Sequence, residues 1–217
     1  MGLGDNLICL GLVKAIAERY PNTTFYYACL KVYFHSIAWM LQDLDNVLPL
    51  AVESGREARQ YADFKNATYL PIGIIDVDIH QFDKSFYAQH QVPFSARWDL
   101  ARTPAGLNSK NLFAKLNPNN RPFILVCDND SSGEDYRLKI SNSSQLLVIE
   151  VAPITNNIFD WTDLIFCAQE IHTVDTGFIH FVENTLPPET HVQLFFHRIR
   201  RSPTEFTRRL PWKEVLY

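Results

Sequence analysis

A chain of 217 residues, 47% hydrophobic and 20% charged, has the composition of a globular protein with one large domain or two small ones, and not of a disordered chain. A formal net charge of −4 argues against a nucleic-acid binder that relies on a broad basic surface. No apolar run approaches the roughly 20 residues needed to span a bilayer. The amino-terminal stretch lacks the basic region, apolar core and cleavage site of a signal peptide. Cys9, Cys29, Cys127 and Cys167 lie far apart in apolar surroundings without zinc spacing, and read as free thiols of a reducing compartment. A cytoplasmic or cytosol-facing protein is expected.

Short apolar runs alternate with amphipathic segments, the pattern of a layered α/β protein. Leu7 to Tyr20 form the clearest helix, with Lys14, Glu18 and Arg19 off its broad apolar face and Pro21 ending it. Thr24 to Leu30, rich in aromatic and β-branched residues, reads as a buried strand. Val32 to Leu41 is helix-like, and Asn46 to Leu50 and Ala67 to Leu70 are short strand candidates. Beyond Ile79 aromatics and charges mix, with helices expected around Ser85 to His90 and Lys110 to Leu116. Pro118-Asn119-Asn120 is a turn-rich break and the expected boundary, dividing the chain into residues 1–118 and 119–217.

The α/β pattern then restarts. Pro122 to Cys127 and Leu146 to Val151 read as strands, Ile158 to Ala168 as a helix, and Glu170 to Val174 as a strand leading into Asp175. Thr176 to Asn184 opens another helix, and Val192 to Phe196 is the last expected strand. The pattern predicts two Rossmann-like halves with parallel sheets and ligands beyond the carboxyl ends of the strands.

Two segments stand out chemically. In Gly2-Leu3-Gly4-Asp5 two glycines precede a helix, whose amino end favours an anion, and Asp5 sits in its first turn; alone this reads equally as a capped turn. A Rossmann-like half should begin with a strand feeding such a turn, but here the turn comes first. The first strand is either missing from the sequence or replaced in the sheet by another segment. In Asp175-Thr176-Gly177-Phe178-Ile179-His180, a strand is followed by small residues, a helix start and a histidine one turn in. Backbone amides, the Thr176 hydroxyl and Gly177 suit a phosphate cradle, against the plainer reading of Asp175 as a helix cap.

Ile158 to Phe196 resembles the donor-binding part of the family 9 glycosyltransferases, the lipopolysaccharide heptosyltransferase group. The resemblance rests on Ala168, the strand to Val174, Asp175-Thr176-Gly177-x-x-His180 and the strand Val192 to Phe196, with Gly4-Asp5, a helix and Tyr20-Pro21 at the other end. It implies a GT-B-like architecture and a metal-independent, inverting transfer of a hexose or heptose from a nucleotide-sugar to a glycan or lipid-linked acceptor, with no cofactor. Asp5 would be the general base, and Asp175, Thr176, Gly177 and His180 would hold the diphosphate. Where the family usually carries a Gly-Ala/Ser segment and a lysine, this chain has Asp128 to Gly133, then Arg137 and Lys139; Ser131, Ser132 and Arg137 are the expected substitutes.

Other readings stay open. Asp128-Asn129-Asp130 after a strand also suits the metal motif of GT-A transferases, though a turn or a loop beside the donor site accounts for it as well. A non-catalytic Rossmann-like module that binds a nucleotide or a protein fits a half without its first strand. Arg198, Arg200, Arg201, Arg208 and Arg209 read as a solvated tail packing across the other half through Trp212, or as a surface facing an acidic acceptor or membrane lipid. His35, His80 and His90 are isolated, and Arg97-Trp98 belongs to the acceptor side or to the core.

Overall fold

The computed structural model describes residues 2–73, 77–129, 136–138, 140–141, 145–199 and 205–217. Within these, the chain forms two compact units, Met1–Arg102 with Thr204–Thr207 and Thr103–Pro203 with Arg208–Tyr217.

The first unit is organised around helix α1, Leu3–Arg19. Its middle is buried nearly all round, Asn6 to Lys14 without a break, as in a helix enclosed by its unit rather than resting on it. The helix starts four residues before the expected Leu7, so Gly4 and Asp5 lie inside its first turn and Gly2 is its cap. Lys14, expected off the apolar face, is buried and offsets that cost with an ion pair to Asp43 at 2.7 Å and a bond to the Arg102 carbonyl. Strand β1, Phe25–Leu30, and strand β2, Val47–Val52, pair in parallel, linked through a 3-10 turn and helix α2, Phe34–Met40.

Helix α3, Gly55–Phe64, was not expected: its apolar stripe is narrow, Ala58, Tyr61 and Ala62, and only Ala58 is buried. Ala67 to Leu70, expected as a strand, has no regular secondary structure and joins no sheet among the described residues. Gln89 and His90, at the end of helix α4, Phe82–Gln89, hold the following stretch through Gly73 N–H and the Pro71 carbonyl. Helix α5, Ala96–Asp99, packs against α1.

The second unit opens with helix α6, Ser109–Leu116, which lies before the Pro118 break yet packs here against α7, Thr162–Cys167, and the 3-10 turn before it. Five strands form one parallel sheet: β3, Phe123–Cys127; β4, Leu147–Glu150; β5, Glu170–Thr173; β6, Gln193–Arg198; and β7, Lys213–Leu216. Their spatial order is β4-β3-β5-β6-β7. Helix α8, Gly177–Thr185, connects β5 to β6. All five residues of β3 are buried, as a central parallel strand requires.

Strand β7 corrects the expectation that β6 is last. The carboxyl-terminal stretch is in part as expected: residues 205–207 belong to the first unit, where Glu205 bonds to Ile79 and Phe82, but Arg208 to Tyr217 belong to the second, and the Trp212 indole donates to Glu183 of α8 at 2.7 Å. The α/β class with parallel sheets is as expected from the sequence.

Candidate functional site

In the strand order of the second sheet, neighbours on either side of β3 lead away in opposite directions. The connection from β3 goes to β4 on one side, while β5 and the strands after it extend on the other. That reversal is the switch point of a doubly wound sheet, where a crevice opens outside the carboxyl ends of the two central strands. Cys127 aligns with Thr173 and Thr173 with Phe196, so the strands end together. Asp128 and Asn129 follow β3, and Val174 to Gly177 follow β5. Both segments singled out in this half therefore flank the switch point.

Thr176 is the cap of α8, with extended backbone (φ −147°, ψ 168°) and no side-chain capping bond. The first N–H groups of α8 have no acceptor within the helix, and the helix dipole adds partial positive charge there. Asp175 is exposed; surrounding protein raises its carboxyl pKa, while Arg198 and Arg208 pull it down. His180 stands one turn in and is buried within α8's packing beside Phe178 and Phe181. Asp175, Thr176 and Gly177 thus stand at the start of α8, and His180 follows one turn along it on a buried side. Tyr136 N–H donates to the Asp128 carbonyl at 2.9 Å, which returns the chain next to Arg137 to the end of β3. Ser131, Ser132, Asp130 and Lys139 lie outside the described residues, as do Arg200 and Arg201.

Arg198 and Arg208, read from the sequence only as members of a basic stretch, were not expected beside the segment after β5. Arg198 closes β6 at the same sheet edge, and Arg208 lies with its guanidinium 5.2 Å over the Phe196 ring. Both contact Glu214 of β7, Arg208 by a short hydrogen bond and Arg198 at 3.9 Å. The Arg208 bond lowers the Glu214 pKa, as a carboxylate stabilised by a guanidinium requires. Nη1 of Arg208 is buried and meets no hydrogen-bond acceptor among the described residues. The position of Arg198 at a strand's carboxyl end was a usable signal; Arg208 had none, since only the β6–β7 pairing carries it there.

Asp5 belongs to the first unit. Its carboxylate accepts from Gly2 N–H at 2.9 Å, and Asn6, next to it, accepts from the Tyr27 hydroxyl at 2.8 Å. Burial raises the Asp5 pKa, opposed by the Gly2 bond. That direction makes the carboxylate a stronger base than an exposed one. Among the described residues no three His, Cys, Asp or Glu side chains converge as a metal site. Among them, too, no helix is long and apolar enough to cross a membrane.

No protein-family model matches the chain, and no curated protein matches it by sequence. A solved structure does match. The fold is similar to that of Escherichia coli ADP-heptose lipopolysaccharide heptosyltransferase II, with a TM-score of 0.56 and 14% identity, over 100% of this chain and 88% of that one. At that identity the likeness shows the fold, an α/β architecture of parallel sheets.

Proposed function

We propose that this chain is a glycosyltransferase that moves a hexose or heptose from a nucleotide-sugar donor to a glycan or lipid-linked acceptor. The observation that carries the reading is the place of Asp175 to Gly177: an uncapped helix start at the switch point of a parallel sheet, beside two arginines. The fold likeness to a protein named for ADP-heptose points the same way and makes ADP the first nucleotide to test.

In this reading the Gly177 and Phe178 amides, the Thr176 hydroxyl and the Arg208 guanidinium grip the diphosphate, assisted by His180, Arg198, Arg137, Ser131 and Ser132. Asp5 takes the proton of an acceptor hydroxyl as its oxygen attacks the anomeric carbon. The bond from that carbon to the diphosphate oxygen breaks, and its electron pair leaves with the nucleoside diphosphate. The amides and arginines stabilise the charge that builds there, the role a divalent ion takes in other transferases.

Calorimetric titration with ADP tests the grip. Gly177→Val and His180→Ala, each checked for a native melting transition, are expected to weaken binding by about tenfold or more, a loss of roughly 1.4 kcal/mol or greater. Wild-type affinity in both variants sinks the assignment. Asp5→Asn should retain ADP binding and lose sugar transfer.

A second reading, a non-catalytic nucleotide- or protein-binding module, is favoured by the first unit, whose sheet has two strands among the described residues. Any specific sugar-nucleotide turnover that Asp5→Asn abolishes excludes it.

A further inference from the structure

Two carboxylates stand where the donor grip needs positive charge. Across the second sheet Thr173 of β5 pairs with Phe196 of β6, and Phe196 pairs with Glu214 of β7. Paired residues of a parallel ladder share a face, and alternate residues of one strand return to it. Arg198 therefore lies on the face of Phe196 and Glu214, at the carboxyl end of β6. Lys213 pairs with Phe195 on the opposite face, its Nζ 5.1 Å from that ring. On the first face the Arg208 guanidinium covers Phe196 and bonds to Glu214. Asp175, after β5, is the second carboxylate, and both arginines act on it. Two guanidinium groups thus meet two carboxylates at the place proposed for a diphosphate.

Glu214 uses little of what the arginines offer. A guanidinium presents five N–H donors in a fixed fork that suits two oxygens at once. Here Nη2 of Arg208 donates to Oε1 of Glu214, while Nη1 is buried and meets no acceptor among the described residues. Oε2 turns to Arg198 at 3.9 Å, too far for a hydrogen bond. The Glu214 side chain is 33% exposed, so water receives its carboxylate when it lets go. Ion pairs this open to solvent are weak. Phe196 beneath the guanidinium holds Arg208 in place without Glu214.

A phosphate group has more oxygens and more charge than a carboxylate. It can engage both Nη atoms of Arg208, and a carboxylate left beside it repels it. The Arg208–Glu214 pair must open for the diphosphate to enter. We infer that Glu214 is an internal counter-anion, which holds Arg208 and Arg198 until a nucleoside diphosphate displaces it and returns to them as the product leaves. This rests on the donor reading of the site and adds to it a residue that limits how tightly donor and product are held.

Calorimetric titration of the full chain with ADP and with inorganic pyrophosphate tests the exchange. Glu214→Gln, checked for a native melting transition, should bind both about threefold tighter or more, because neither has a paired carboxylate to displace. Glu189→Gln removes the same charge from the loop before β6, at the amino ends of the strands, and should bind as wild type does. With carbon-13 at the glutamate carboxyl carbons, the Glu214 resonance, assigned by its loss in Glu214→Gln, should move on ADP addition toward that of exposed Glu189. Wild-type or weaker ADP binding by Glu214→Gln makes Glu214 a fixed partner that orients Arg208; it overturns the inference and leaves the donor site standing. An equal gain in Glu189→Gln reduces the effect to net charge and overturns it too. Failure of both wild type and Glu214→Gln to bind either ligand removes the donor site and the inference together.

Discussion

Nδ1 of His172 lies 2.8 Å from Nε2 of His197, a bond between neighbouring strands β5 and β6 inside the second unit. The contact continues at both ends, to Glu170 at 3.1 Å and to the Tyr217 hydroxyl at 2.9 Å, while the Phe195 ring stacks on His172 at 4.4 Å. Two neutral imidazoles can share one proton in this way, one donating and the other accepting. Protonating both rings places two cations side by side out of water and leaves no acceptor nitrogen between them.

That relationship predicts acid sensitivity. Burial lowers the His172 pKa, against the opposing pull of Glu170, and burial together with His172 lowers that of His197 from 6.5 to about 4. Unfolded histidines titrate near their ordinary value, so between about 6.5 and 4 the unfolded state binds more protons. Stability therefore falls as pH drops through this window, by a penalty on the order of a few kcal/mol, and is unaffected by the pair above it. Carboxylates add their own acid dependence, so the measurement is the difference from His197→Phe. The melting temperature of that variant should depend less steeply on pH from 7 to 4.5. Parallel profiles would show that the pair does not carry the effect.

Gly11 predicts a substitution whose two effects oppose each other. Alanine in a helix interior is favoured over glycine by about 1 kcal/mol. A Cβ at Gly11, however, would stand 2.1 Å from the Ala96 carbonyl oxygen, a backbone atom of α5 that cannot rotate away. Overpacking of this kind costs roughly 1–3 kcal/mol, so Gly11→Ala should destabilise the first unit despite the better propensity. Denaturant unfolding followed by Trp98 or Trp39 fluorescence measures it, and a stabilised variant would refute the close packing of α1 on α5.

Much of the fold was legible because burial and period agree. Phe123 to Cys127 is an unbroken apolar run and is a fully buried strand; the helix was legible from the apolar residues between Leu7 and Ala17, though not the burial of Lys14 among them. Elements that owe their form to tertiary contacts were not legible. Lys213 to Leu216 has four residues and no strand signature, and becomes a strand through its ladder with Phe195 to Arg198. Ala67 to Leu70 has strand-like residues but no ladder partner among the described residues. At the candidate site, Asp175 to His180 could be read because a strand, a turn and a helix follow each other in sequence. The approach of Arg208 could not, since it depends on how β7 pairs thirty-odd residues later.

Asp83 and Arg97 form an ion pair that is closed off from solvent in the first unit. Asp83 also accepts Thr207 N–H at 2.8 Å, and the Arg97 guanidinium lies 4.3 Å from the Trp98 ring. Burying two charges is expensive, and such a pair is worth little beyond its own desolvation. Removing one partner is different, because the other charge stays buried. Asp83→Ala is expected to cost about 3–5 kcal/mol, and adding Arg97→Met should restore much of it. A double-mutant cycle by urea unfolding reads the coupling, and additive losses would contradict it.

Glu183 links the candidate site to the end of the chain. Its carboxylate, fully buried in α8, accepts Arg209 N–H at 3.0 Å, Leu210 N–H at 3.3 Å and the Trp212 indole at 2.7 Å. These bonds fix the residues between Arg208 and the start of β7 onto the helix whose amino end begins at Gly177. Glu183→Ala leaves several buried donors without their acceptor, at about 1–3 kcal/mol for each that water cannot reach. The expected result is local: tryptic cleavage after Arg208 and Arg209 accelerates while the first unit keeps its unfolding midpoint. Glu183→Gln, with one acceptor oxygen instead of two, should fall between wild type and alanine. If Arg208 grips the donor diphosphate, ADP affinity should weaken in the same order as the cleavage rate rises, and a variant that is cleaved faster yet binds ADP as wild type does would remove Arg208 from the site.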